Sequence, residues 1–160
     1  MNSRRVLLFL LWVGAGFGGW YVSVFLFRTL ISPVIPELLG SIPDGFMERT
    51  VIFISSHLAE WVLAFLLCMV LGVFTGLTFL RFLGFVIALV CVDAWYFISQ
   101  YLAFTNMYEA VPRGTHMIYL QGFFSFFVLT PFIALVGGLA GHKMGAHSAT
   151  PRKSKPRNTR

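Results

Sequence analysis

The sequence predicts an all-α integral membrane protein, a four-helix transmembrane bundle with both termini on the cytoplasmic side. Three observations carry this. First, the 160 residues are 58% hydrophobic and only 11% charged, whereas soluble domains average about a quarter charged. Second, four apolar runs reach the roughly 20 residues that a helix rising 1.5 Å per residue needs to cross a bilayer core of about 30 Å. Third, the basic residues gather on alternate sides of those runs.

The runs place spans at about 6–27, 57–80, 82–104 and 118–140. Arg28, Arg81 and the pair His142–Lys143 end three of them. The first run, at about 22 residues, exceeds the apolar core of a signal peptide, and no convincing cleavage site follows it, so it reads as a retained helix. The expected organisation is one transmembrane domain over 1–141 and a disordered tail over 142–160.

Orientation follows the distribution of Lys and Arg. One side holds Arg4, Arg5, Arg81, Lys143, Arg152, Lys153, Lys155, Arg157 and Arg160; the other holds Arg28, Arg49 and Arg113. Glu37, Asp44, Glu48 and Glu109 all fall on the second side. The termini are therefore expected inside, and compact size suggests a bacterial inner membrane. The tail, HKMGAHSATPRKSKPRNTR, has no acidic residue and almost nothing apolar. It is expected to stay unfolded and to serve as a topology determinant, or to meet anionic lipid or an acidic partner. No aromatics interleave its charges, which argues against nucleic acid.

Residues 28–50 contain three prolines and two glycines, so one continuous helix is excluded. The apolar Val34, Ile35, Leu38, Leu39 and Ile42 suit a segment lying at the outer interface or folded over the bundle. The second outer loop carries Glu109, Arg113 and His116, too few ligands at no fixed spacing to define a metal site. Cys68 and Cys91 lie in apolar runs without CxxC or Cys/His spacing. They read as small apolar side chains, although a hairpin would set them at similar depth.

The chemistry, if any, lies in polar residues within the runs. His57 and Glu60, at i and i+3, share a helix face. Counting about 20 residues back from Leu80 reaches Trp61, an interface-preferring residue. That sets His57 and Glu60 at the outer boundary, as solvated groups or an outer-mouth site. Asp93 falls about 12 residues from a turn near Arg81, about 18 Å into the membrane, where a carboxylate costs about 2.5–3.5 kcal/mol on insertion scales. Glu60 by the same count lies about 13 Å away in depth, which disfavours a direct pair. Asp93 is instead expected to face the glycines of the first helix, Ser125 and Thr130, and a carbonyl near Phe127 freed by Pro131. It acts there as a structural clamp, a proton or cation site, or a contact with another subunit.

Small-xxx-small pairs recur at Gly14/Gly18, Ala15/Gly19, Gly72/Gly76, Ala134/Gly138 and Gly137/Gly141, and each permits close helix approach. No Ser/His/Asp set, phosphate-cradling glycine loop or HExxH occurs, and no cofactor is indicated. The leading expectation is a non-enzymatic structural, accessory or regulatory subunit that packs with other membrane chains or with itself. The alternatives are a small transporter or channel component using Asp93, and a membrane enzyme using His57, Glu60, Glu109 and His116.

Overall fold

The computed structural model describes residues 3–40, 46–107 and 122–148. The expectations for Asp44, Glu109, Arg113, His116 and the tail beyond Ser148 lie outside them. All secondary structure among the described residues is helical. Helix α1 spans Ser3–Leu26 and continues as a π-helical turn over Phe27–Ile31. Short α2 covers Ile35–Leu39, α3 covers Phe46–Thr75 and α4 covers Phe79–Met107. Helix α5 runs over Gly122–Ser148, with a π-helical turn at Ser125–Leu129.

Four of these helices are long and apolar enough to cross a membrane. Large apolar side chains such as Leu7, Phe25, Phe74, Phe79, Trp95 and Phe132 project outward. In water such a surface would be a liability; in lipid it needs no cover.

The turn between α3 and α4 differs from the expected one. Helix α3 stops at Thr75 rather than running to Leu80, and α4 starts at Phe79. Gly76 explains the stop: it adopts φ +71°, a left-handed conformation that costs glycine no Cβ clash. Its N–H donates to the Gly72 carbonyl at 3.1 Å. Arg81 Nη1 then donates to the carbonyls of Thr75 and Gly76, satisfying acceptors that a helix end leaves open. Gly76 is thus a helix cap rather than a packing residue.

The chain-adjacent α3 and α4 pack chiefly on other partners, α3 on α5 and α4 on α1. Each of those pairs runs parallel, because contacts advance together along both members. On α1 and α4, Phe9 meets Gly84 and Gly16 meets the Phe85 carbonyl. On α3 and α5, a Cβ on Gly137, Gly141 or Gly145 would strike the carbonyl of Phe65, Met69 or Val73 respectively. Gly72 abuts Gly138 in the same seam. Gly72, Gly137 and Gly141 therefore sit in close contacts between α3 and α5. At Gly14 and Gly18, nothing among the described residues stands within 4 Å of a Cβ. On α1 the buried glycines are Gly16 and Gly19. The two pairs are antiparallel to each other and meet around Trp12, whose ring packs edge-on against Phe85 and whose Nε1 donates to Thr75 Oγ1 at 3.0 Å.

Both described chain ends and the 76–78 turn lie at one end of the bundle. Helix α5 also extends to Ser148, beyond the expected boundary at 141. Gly145 packing on Val73 gives that last stretch its tertiary support.

Candidate functional site

With the turn at residues 76–78, the depth count changes. Glu60 lies 15 residues before Thr75 and Asp93 lies 14 residues after Phe79, or about 22 and 21 Å along their helices. The two carboxyl groups share one level, and they interact. This corrects the expectation that depth separates them. The error came from reading Arg81 as the turn itself, when it is the side chain that caps a turn already made at Gly76.

Glu60 is not a solvated group, being 8% exposed. Trp61 turns into the bundle, where its Nε1 donates to Ser125 Oγ at 3.1 Å. The i, i+4 series Phe53, His57 and Trp61 forms one aromatic face on α3. Phe53 and His57 have centroids 5.0 Å apart, and His57 stacks on Trp61 at 5.9 Å. That stack carries the rest of the turn, Glu60 included, toward the interior.

Glu60 has two described side-chain neighbours besides Asp93. Thr130 Oγ1 donates to Glu60 Oε1 at 2.7 Å, and His57 Nδ1 stands 3.8 Å from Oε2. Thr130 thus serves Glu60, where the sequence pointed it at Asp93. The π turn at Ser125–Leu129 sets this up. Pro131 has no N–H and its ring crowds the carbonyl four residues earlier; widening the preceding turn relieves that crowding. Ser125 and Thr130, at the two ends of the widened turn, are both fully buried. Each takes one partner from α3.

Asp93 is 2% exposed. Its carboxyl group lines the same cavity as the Trp20 indole and the Glu60 carboxyl group, and it interacts with both. Yet Asp93 Oδ2 is buried without a hydrogen-bond partner. In a membrane interior such an acceptor is expensive, and native structures rarely leave one without a reason.

Asp93 lines a cavity of about 210 Å³ in the half of the bundle away from the chain ends. Trp20, Ser23, His57, Glu60, Asp93 and Tyr96 line it, with Arg28 and Ser56 among its further walls. Trp20 and Tyr96 meet edge-on, centroids 5.5 Å apart. Ser23 is not available to Asp93, because its Oγ donates to the Trp20 carbonyl at 2.7 Å. Sequence reasoning missed Trp20 and Tyr96. Both were readable only as membrane aromatics until α1 and α4 were known to lie side by side and parallel.

Like charge and burial both disfavour two carboxylates side by side, so such a pair tends to hold at least one proton. The pair can exchange that proton or hold a cation in its place. Among the described residues no group of three or more His, Cys, Asp or Glu side chains is arranged to hold a metal ion. Cys68 is buried, Cys91 is exposed, and both are free thiols, so similar depth does not bring them together. Compared with known proteins, the chain matches no family model, and no curated protein or solved structure is found to be similar to it.

Proposed function

We propose that this protein is a small transport component of a membrane, in which the Glu60–Asp93 pair binds protons and exchanges them for a cation. The observation that carries the reading is the buried carboxyl pair at one depth, with Asp93 Oδ2 unpartnered beside a cavity. Intramembrane carboxyl groups are costly and mark ion or proton pathways more often than packing. A clamp has little need of a second carboxyl group or of an empty acceptor. By the Lys and Arg asymmetry, the cavity half faces the outside and both termini lie in the cytoplasm of a bacterial cell.

The test is proton movement in liposomes containing the purified protein and a trapped pH dye. An imposed cation gradient is expected to drive proton flux, with Asp93→Asn and Glu60→Gln both falling to the background of empty vesicles. Flux in both variants equal to wild type would remove the reading.

A second reading, an accessory subunit of a larger membrane assembly, is favoured by one observation. Gly14 and Gly18 share an outward face of α1 on which nothing packs among the described residues. The other small-residue faces give it less support than the sequence suggested, since the bundle uses Gly16, Gly19, Gly72, Gly137 and Gly141 internally. Stoichiometric copurification of other chains in gentle detergent, together with no proton flux from the isolated protein, would favour it.

A further inference from the structure

The cavity beside Asp93 has features of a site for a particular kind of cation. One of its walls is Asp93, a side chain that is 2% exposed and whose Oδ2 has no hydrogen-bond partner among the described residues. A ligand with an N–H or O–H donor satisfies that atom, as does a bare metal cation, and the remaining walls decide between them. Its walls are aromatic: Trp20 and Tyr96 meet beside Asp93, and the His57 ring stands on α3. Aromatic faces attract cations and accept flat apolar bodies. A volume of about 210 Å³ suits a compact organic ion.

Charge narrows the class further. With both carboxyl groups protonated the pair is neutral; with one proton it carries a single negative charge, which one monocation neutralises. In a low-dielectric setting any larger imbalance is penalised. Arg28, exposed at the cavity's rim, lies eight residues beyond Trp20, about 12 Å further along α1. It adds a reason against a dication. An anion would have to settle against the two carboxyl groups.

We propose that this cavity binds a compact primary ammonium ion, which donates an N–H to Asp93 Oδ2, rests its body against Trp20 and Tyr96, and displaces one proton from the Glu60–Asp93 pair. The inference rests on the reading of that pair as an exchangeable site and names what is exchanged. The step balances: a neutral pair with two protons takes up one cation, loses one proton to solvent and stays neutral overall. The other titratable groups facing the cavity are His57 on α3, Tyr96 on α4 and Arg28 on α1; α5 contributes the Thr130 hydroxyl through Glu60. Of these, His57 is the one whose ordinary range overlaps neutral pH, so it is controlled for directly.

Titration calorimetry on the full-length protein in detergent tests this, with benzylammonium as probe. Paired runs in buffers of different ionisation enthalpy count the protons released. Expected are saturable binding, about one proton released per ligand, and the same count in His57→Asn. Benzyltrimethylammonium, which has no N–H, and benzyl alcohol, which has no charge, should each bind at least tenfold more weakly. Asp93→Asn should weaken benzylammonium at least tenfold. Ser56→Phe, which fills the cavity and leaves both carboxyl groups in place, should do the same, so a misfolded Asp93 variant does not leave the idea beyond reach. Equal binding of the quaternary ion, absence of proton release, or wild-type affinity in Ser56→Phe would each overturn the proposal. If benzylammonium fails to bind while proton flux in liposomes still depends on Asp93 and Glu60, the ligand class falls and the carboxyl-pair reading stands. If it binds without proton release and flux ignores both carboxyl groups, both fall.

Discussion

Two stretches of the same helix, α3, solve opposite problems. From Phe65 to Val73 it offers backbone carbonyls to Gly137, Gly141 and Gly145 of α5, with no room for a Cβ between them. From Phe53 to Trp61 it presents rings and a carboxyl group, and its neighbours stand far enough off to leave a cavity. In lipid there is little hydrophobic force between helices, so close van der Waals packing must hold them together. The glycine seam supplies it at one end, and that rigidity lets the other end carry buried polar groups. A membrane bundle of this size thus divides its stabilising and its chemical residues by depth.

Substitutions at the two ends should separate these roles, beginning with the seam. Gly141→Leu places a side chain where a Cβ alone would collide with the Met69 carbonyl. It is expected to cost about 3 kcal/mol or more, read as loss of the folded fraction in a denaturing-detergent titration. Retention of wild-type stability would mean that the seam is not where the bundle is held. Gly76→Ala forces an alanine to φ +71° at a cost of about 1–2 kcal/mol, read in the same titration. It also shifts the turn that puts Glu60 level with Asp93, so a bifunctional crosslinker between α3 and α4 should report altered register.

At the polar end, Thr130→Val removes the donor to Glu60 Oε1. Interhelical hydrogen bonds in membranes average below 1 kcal/mol and reach about 1.7, so a loss of about 1 kcal/mol is expected. Its effect on proton flux should exceed what that loss explains, since fold stability depends mainly on the seam. Equal effects on stability and flux would blur the division. The smallest change is expected for Gly14→Ala combined with Gly18→Ala, where an added Cβ touches nothing among the described residues. Stability should stay within about 0.5 kcal/mol. A measurable drop in the size of the detergent-solubilised particle would instead assign this face to a second chain.

The polar residues that matter were visible in the sequence, but their pairing was not. Asp93 stood out because a carboxyl group in an apolar run is costly wherever the helix faces. Glu60 was discounted because Trp61 beside it looked like an interfacial anchor. Only the Ser125 hydroxyl waiting on α5 shows why that indole turns inward. Gly76 could have been recognised as a cap, since an Arg follows it at the distance that reaches a helix's last carbonyls. The same residue also fits a small-xxx-small pattern with Gly72, and local sequence does not choose between the two.

By itself the sequence determined that four helices are long and apolar enough to cross a membrane, because run length and the scarcity of charge depend on no partner. It also determined that Asp93 lies within one of them. Tertiary structure decided which helices pair, which glycines are spent on packing, and that Glu60 meets Asp93. Those outcomes depend on the turn at Gly76 and on a π turn ahead of Pro131. Each shifts depth or facing by a few residues, and the meeting of two carboxyl groups at one cavity tolerates no such shift.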